Sequence, residues 1–166
     1  MILVTGSTGH IGNVLVRELI SRGERVRGMV LPGEDVTAIK GLGVERIEGN
    51  VLDPTLLVRA MAGVDIVYHL AGIISILPGD EAKMCRVNVE GTQNVVEAAA
   101  RSGVQRVVHT SSVHAFQRLP HGTIVDETTP LVPSHSGNAY DKTKAMGTTA
   151  VLNSIRRGLD AVIACP

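Results

Sequence analysis

The sequence predicts an α/β domain: a doubly wound parallel sheet with helices on both faces. Three observations carry that prediction. Short apolar, β-branched runs alternate with longer amphipathic ones, a glycine-rich stretch joins the first run to the first amphipathic one, and 166 residues suffice for a single domain, 1–166. Strands separated by helical segments require right-handed crossovers, so the sheet is parallel and its strands are buried on both sides.

Each element follows from a local signal. Ile2–Thr5 reads as a buried strand, and Ile11–Ser21 as a helix whose apolar side carries Ile11, Val14, Leu15, Leu19 and Ile20. Gly23 ends that helix, and Arg25–Leu31 resumes as a strand before a Pro32-Gly33 turn. Arg27, inside that strand, reads as a solvent-facing charge. A weak helix over Asp35–Gly41 and a strand at Val44–Glu48 follow. Asp53 then caps a helix over Pro54–Met61, with proline at its first position. Asp65–Leu70 is a continuous apolar strand, and Glu81–Arg101 is the longest helical segment, closed by Gly103. Gln105–Ser111 is the next strand. Residues 113–137 form a long loop punctuated by Pro120, Pro130 and Pro133. Asn138–Arg157 is helical, and Asp160–Cys165 is the last strand.

Composition narrows the function classes. Apolar residues make up 44% and charged residues 19%, ordinary for a globular chain, and the formal net charge of zero gives no footprint for nucleic acid or anionic membrane. The six histidines are scattered without metal-ligand spacing, so no metal site is expected. Two distant cysteines, Cys85 and Cys165, point to free thiols in a reducing compartment. MILVTG runs straight into the glycine loop with no signal-peptide pattern, and no apolar run reaches the length of a membrane span. The expected location is the cytoplasm.

The loop itself is Thr5-Gly6-Ser7-Thr8-Gly9-His10-Ile11-Gly12, between a strand and a helix. That context separates a phosphate-binding loop from a chance cluster of glycines. Gly6 makes the tight turn, Gly9 lets backbone approach a pyrophosphate, and Gly12 lets the helix pack close to the sheet. The free N–H groups of the helix end face the phosphates. The fold is therefore a Rossmann dinucleotide-binding fold. The end of the second strand usually selects the cofactor: a carboxylate for the NAD ribose, a base for the NADP phosphate. Val30-Leu31-Pro32 offers neither. NAD and NADP both stay open, and the missing carboxylate leans the expectation toward NADP.

A second constellation lies downstream. Tyr140 and Lys144 are four residues apart and share one helix face. A phenol ordinarily titrates near pH ~10, and a neighbouring ammonium stabilises its anion. Ser112, at the end of the fifth strand, can hydrogen-bond a carbonyl oxygen in the same place. Each feature alone is commonplace; the three in this order behind a glycine loop are specific.

With these residues the chain resembles the extended short-chain dehydrogenases/reductases, also called the NAD-dependent epimerase/dehydratase family. The resemblance runs through TGSTGHIG, EGNVLD (Glu48–Asp53), DIVYHLAG (Asp65–Gly72), VNVEGTQNVVEAA (Val87–Ala99), VVHTSS (Val107–Ser112) and YDKTK. It implies that Ser112, Tyr140 and Lys144 form the catalytic triad and that Asn88 supports it from its helix. It also implies cofactor contacts from Gly6, Ser7, Thr8, Gly9, His10, Ile11 and Gly12, from Leu31, and from Asn50 and Val51 beside adenine. Leu70, Ala71, Gly72, Thr110, Tyr140 and Lys144 complete the implied set.

Two departures qualify the resemblance. Val113-His114 stands where sugar-nucleotide dehydratases carry an Asp-Glu pair, and no Tyr-Gly pair follows the serine as in many epimerases. The local pattern is closer to the dihydroflavonol 4-reductase and hydroxysteroid dehydrogenase branch, although NADP-using members often have a basic residue where Leu31 stands. His114 reads as a loop residue with access to substrate. Family members also continue beyond the strand matching Asp160–Cys165, so a C-terminal substrate-binding subdomain is expected to be absent from this chain.

The expected function is hydride transfer between NAD(P) and a small carbonyl or secondary alcohol, by a homodimer pairing Glu81–Arg101 and Asn138–Arg157 across a two-fold axis. Nucleotide-sugar epimerisation is the alternative within the family. A non-catalytic dinucleotide-binding module, or an inactive fragment, is the alternative outside catalysis.

Overall fold

The computed structural model describes residues 1–75, 77, 79–133 and 138–166. Six parallel strands form one sheet: β1 (Ile2–Thr5), β2 (Val26–Val30), β3 (Glu45–Glu48), β4 (Ile66–His69), β5 (Arg106–Thr110) and β6 (Ala161–Ala164). Their order is β3-β2-β1-β4-β5-β6, the doubly wound Rossmann arrangement. Connections reverse direction between β1 and β4, which opens a crevice at their carboxyl ends.

The pleat of β1 divides the core. Leu3 joins a cluster with Met29, Val67 and Val107 under α2 (Pro54–Ala60), α4 (Thr92–Arg101) and α5 (Ala139–Arg156). Ile2 and Val4 point the other way, to Val16 and Leu19 of α1 (His10–Ser21). Each such fully buried side chain contributes about 1.5–3 kcal/mol of transfer free energy. The buried face of α1 differs from its expected stripe. Gly12, Val16 and Leu19 face the sheet, whereas Ile11 and Val14 are about half exposed, because the loop fixes how the helix enters.

The Asp53 cap forms as expected, its carboxylate accepting from the Leu56 N–H at 3.0 Å. Three other expectations change. The weak helix at 35–41 contracts to a 3₁₀ turn, Thr37–Ile39. Arg27 is no solvent-facing charge: it pairs with Glu45 at 2.7 Å and donates to the Ala60 and Ala62 carbonyls, closing the end of α2. The single helix expected over Glu81–Arg101 is interrupted. After α3 (Glu81–Met84), Cys85–Gly91 widens into a π-helical stretch before α4. Asn88 sits within that widened turn. A Cβ on Gly147 of α5 would lie 2.4 Å from the Asn88 carbonyl, so only glycine lets these backbones approach.

In the expected loop at 113–137, Val113–Ala115 forms a 3₁₀ turn and Phe116 bridges Leu131. Positions 134–137 lie outside the described residues. Cys85 and Cys165 are both free. Among the described residues no helix is long and apolar enough to cross a membrane, and no group of side chains is arranged for a metal.

Candidate active site

The crevice at the strand ends is a cavity of about 630 Å³ bounded by the glycine loop, the end of β2, residues 49–52 and residues 70–73. Its fit to a dinucleotide rests on backbone. Gly6 adopts φ 69°, and a Cβ there would meet the Ala71 nitrogen at 2.9 Å. A Cβ on Gly12 would lie 2.0 Å from the Gly6 carbonyl. Helix α1 has Gly9 as its N-cap, with no side-chain cap and no acidic residue in its first turn, so its N-terminal donors are available to an anion.

Of the expected cofactor residues, Gly6, Thr8, Gly9, Leu31, Asn50, Val51, Leu70, Ala71 and Gly72 line the cavity. Ser7 does not: it is fully buried and donates to the Met29 carbonyl, tying the loop to β2. Gly12 lies behind Gly6, and His10 and Ile11 are exposed at the start of α1. Thr110, Tyr140 and Lys144 lie at the end of β5 and on α5, not on the cavity wall.

Several lining residues were not anticipated from the sequence, among them Lys83, Arg86 and, at the end of β2, Glu34. Pro32 and Gly33 form a turn closed by the Glu34 N–H donating to the Leu31 carbonyl at 3.0 Å, with Gly33 at φ 74°. That turn brings the Glu34 carboxylate back to the strand end, where it accepts from the Leu31 N–H at 2.7 Å and from the Thr8 hydroxyl. A carboxylate therefore does stand where none was expected, and the leaning toward NADP loses its premise. The Pro-Gly pair was the available signal.

At the end of β5 the other constellation assembles. Lys144 donates from Nζ to the Thr110 carbonyl at 2.7 Å. Ser112 caps the following turn, its Oγ accepting from the His114 N–H at 3.2 Å. Tyr140 is one turn before Lys144, and the His114 ring meets its ring edge-on with centroids 6.0 Å apart. His114 Nδ1 also lies 3.3 Å from Asp141 Oδ1, a buried carboxylate. Asn88 is buried and fully engaged: Oδ1 accepts from the Ile73 N–H at 2.8 Å, and Nδ2 donates to the Ile73 carbonyl and to Thr143 Oγ1. It ties the cavity-lining Ile73 to Thr143 of α5 and has no side-chain donor left for a reactant.

Burial lowers the Lys144 pKa to about 8, with a small opposing effect from Cys165. Below about pH 8 the ammonium is charged in both folded and unfolded chains, and folding carries the full cost of burying it. Between there and its ordinary 10.5 the unfolded chain binds more protons, so stability rises with pH through that window. Lys144→Met is expected to stabilise the fold at neutral pH by about 1–2 kcal/mol, the desolvation gain less the lost Thr110 bond. Urea titrations at neutral pH and above pH ~10 check this, since the advantage should vanish at the higher pH.

With that geometry in place, comparison with known proteins gives consistent matches. A family model described as the NAD dependent epimerase/dehydratase family matches residues 2–166. Sterol demethylase protein B of Methylococcus capsulatus is 43% identical over 164 residues, covering 99% of this chain and 50% of that protein. The 3 beta-hydroxysteroid dehydrogenase/Delta 5→4-isomerase of Mycobacterium tuberculosis is 34% identical, covering 99% of this chain and 45% of its own. A crystal structure of a short-chain dehydrogenase/reductase superfamily protein from Agrobacterium tumefaciens with bound NAD superposes with a TM-score of 0.85 at 36% identity, over 98% of this chain and 48% of that one. The chain thus spans about half the length of the curated relatives it matches.

Proposed function

The chain belongs to the NAD dependent epimerase/dehydratase family, and from that premise we propose that it is the cofactor-binding part of an NAD(P)-dependent oxidoreductase interconverting a ketone and a secondary alcohol. One observation carries the reading: Ser112, Tyr140 and Lys144 gather around the end of β5, and Asn88 ties that corner to the floor of a glycine-built cavity. The names of the relatives favour a sterol or steroid ring alcohol as the substrate class.

The bound nicotinamide supplies the hydride acceptor or donor. The chain's own residues do the rest. Ser112 Oγ orients the substrate oxygen, and the Tyr140 hydroxyl gives or takes its proton. Lys144, fixed by the Thr110 carbonyl, places positive charge one helical turn from that phenol. The α1 N-terminus and loop amides would hold the pyrophosphate, and Glu34 would accept from the adenosine ribose. NAD is therefore the preferred cofactor. Glu34→Ala is expected to weaken NAD binding ~10-fold, the loss of about one charge-assisted hydrogen bond, and to strengthen NADP binding by removing a like charge. Titrations of both cofactors check this; an unchanged ratio would exclude Glu34 from the choice.

Hydride transfer is tested by following cofactor absorbance with a ketone panel that includes a 3-ketosteroid, with NAD(H) and NADP(H). Failure of every combination with both this chain and its extension by a substrate-binding subdomain would overturn the reading. We further propose a homodimer pairing Glu81–Arg101 and Asn138–Arg157 across a two-fold axis, for which sedimentation at high concentration is the measurement, and the cytoplasm as the compartment.

A further inference from the structure

His69 and His109 stand side by side in register on β4 and β5, both buried, with ring centroids 5.3 Å apart. Neither lines the cofactor cavity. His69, however, lies in the middle of a directed chain of hydrogen bonds. The Ala71 N–H donates to Thr5 Oγ1 at 3.2 Å, and Thr5 Oγ1 is 2.8 Å from His69 Nδ1. On the other side His69 Nε2 is 3.0 Å from Thr92 Oγ1, and the Thr92 hydroxyl donates to the Asn88 carbonyl at 2.7 Å.

The donors fix the tautomer. Thr92 gives its one hydroxyl proton to Asn88, so toward His69 it can only accept, and Nε2 must carry the hydrogen. Nδ1 is then bare and accepts from the Thr5 hydroxyl, whose lone pair takes the Ala71 N–H. Only the neutral Nε2–H imidazole satisfies every link. Burial, reinforced by the charge of Lys144, opposes a second proton and lowers the pKa to about 3.

Both ends of the chain reach functional ground. Thr5 and Ala71 line the cofactor cavity. Asn88 grips Ile73 and Thr143, and Thr143 donates to the Tyr140 carbonyl at 3.0 Å. We propose that His69 is a positioning residue, a neutral Nε2–H imidazole that locks the floor of the cofactor cavity to the helix bearing Tyr140 and Lys144. The proposal rests on the dinucleotide reading of that cavity. It makes Thr92, which does not line the cavity, a residue whose loss is felt there.

The test uses the chain as it stands. Long-range ¹⁵N imidazole spectra should show His69 as the Nε2–H tautomer, untitrated between about pH 6 and pH 8. Thr92→Val removes the acceptor and should weaken NAD binding at least ~5-fold, while Thr92→Ser, which restores the hydroxyl, should stay within about twofold. Val67→Ala, a buried β4 variant away from the chain of bonds, should lower stability yet leave NAD affinity within about twofold. A charged or Nδ1–H His69 would overturn the proposal, as would equal effects of Thr92→Val and Thr92→Ser, or a loss of affinity in Val67→Ala matching that of Thr92→Val. A wild-type chain without NAD affinity would instead overturn the cofactor reading, leaving the imidazole spectrum to decide the bonded joint.

Discussion

Tyr140→Phe is expected to lower turnover by ~10³-fold or more while leaving NAD affinity within about twofold. The substitution removes one hydroxyl and little else. Lys144 is anchored on the Thr110 carbonyl, so it should stay in place without the phenol oxygen. The ring keeps its edge contact with His114, and α5 keeps its Asn138 cap on the Asp141 N–H at 2.9 Å. What disappears is the hydroxyl proposed to carry the proton of the substrate oxygen. Single-turnover absorbance together with an NAD titration separates the outcomes. Lost turnover with unchanged binding supports catalysis at Tyr140. Turnover close to wild type would remove Tyr140 from the chemistry. Binding without turnover in either protein would favour a dinucleotide-binding module.

That prediction joins two parts of the molecule that were unequally legible in the sequence. Strand β1 occupies Ile2–Thr5 as expected, because four apolar or β-branched residues followed by glycine leave few alternatives. Tyr140 and Lys144 were readable for a similar reason: their spacing is a property of one helix, and Asn138 marks where that helix starts. Glu34 was not readable by counting to the end of a strand. The rule looks for a carboxylate at the last strand residue, whereas here a Pro-Gly turn carries one back from three residues further on.

The π-helical stretch around Asn88 was less legible still. Apolar spacing over Glu81–Arg101 suits an ordinary helix, and the widening accompanies contacts remote in sequence. Asn88 bonds to both backbone groups of Ile73, and its own backbone lies against Gly147. Arg27 shows the same limit on a smaller scale. A charge inside a strand reads as solvent-facing until a helix end arrives to accept from it. His69 and His109, forty residues apart in the chain, become neighbours only through the pairing of β4 with β5.

Gly12→Ala should have a large effect on the cofactor for so small a change. The new Cβ would lie 2.0 Å from the Gly6 carbonyl oxygen and 3.1 Å from the Ser7 Cα. Both are backbone, so no side chain can swing away. Either α1 retreats from the loop or the loop shifts toward the cavity, by roughly an ångström or more to reach ordinary contact. A retreat would strain the burial of Val16 and Leu19 against the sheet. A loop shift would disturb the Ser7 bond to Met29 and move the amides away from any phosphate seated there. Overpacking costs about 1–3 kcal/mol of stability. Losing two or more charge-assisted amide contacts lowers NAD affinity at least ~100-fold. Gly9→Ala provides the contrast: its Cβ would meet only the Gly6 oxygen, at 3.3 Å, a contact that a few tenths of an ångström relieves. Calorimetric NAD titrations of the two variants should therefore differ by an order of magnitude or more. Equal affinities would mean that the close approach of Gly12 to Gly6 does not shape the phosphate site.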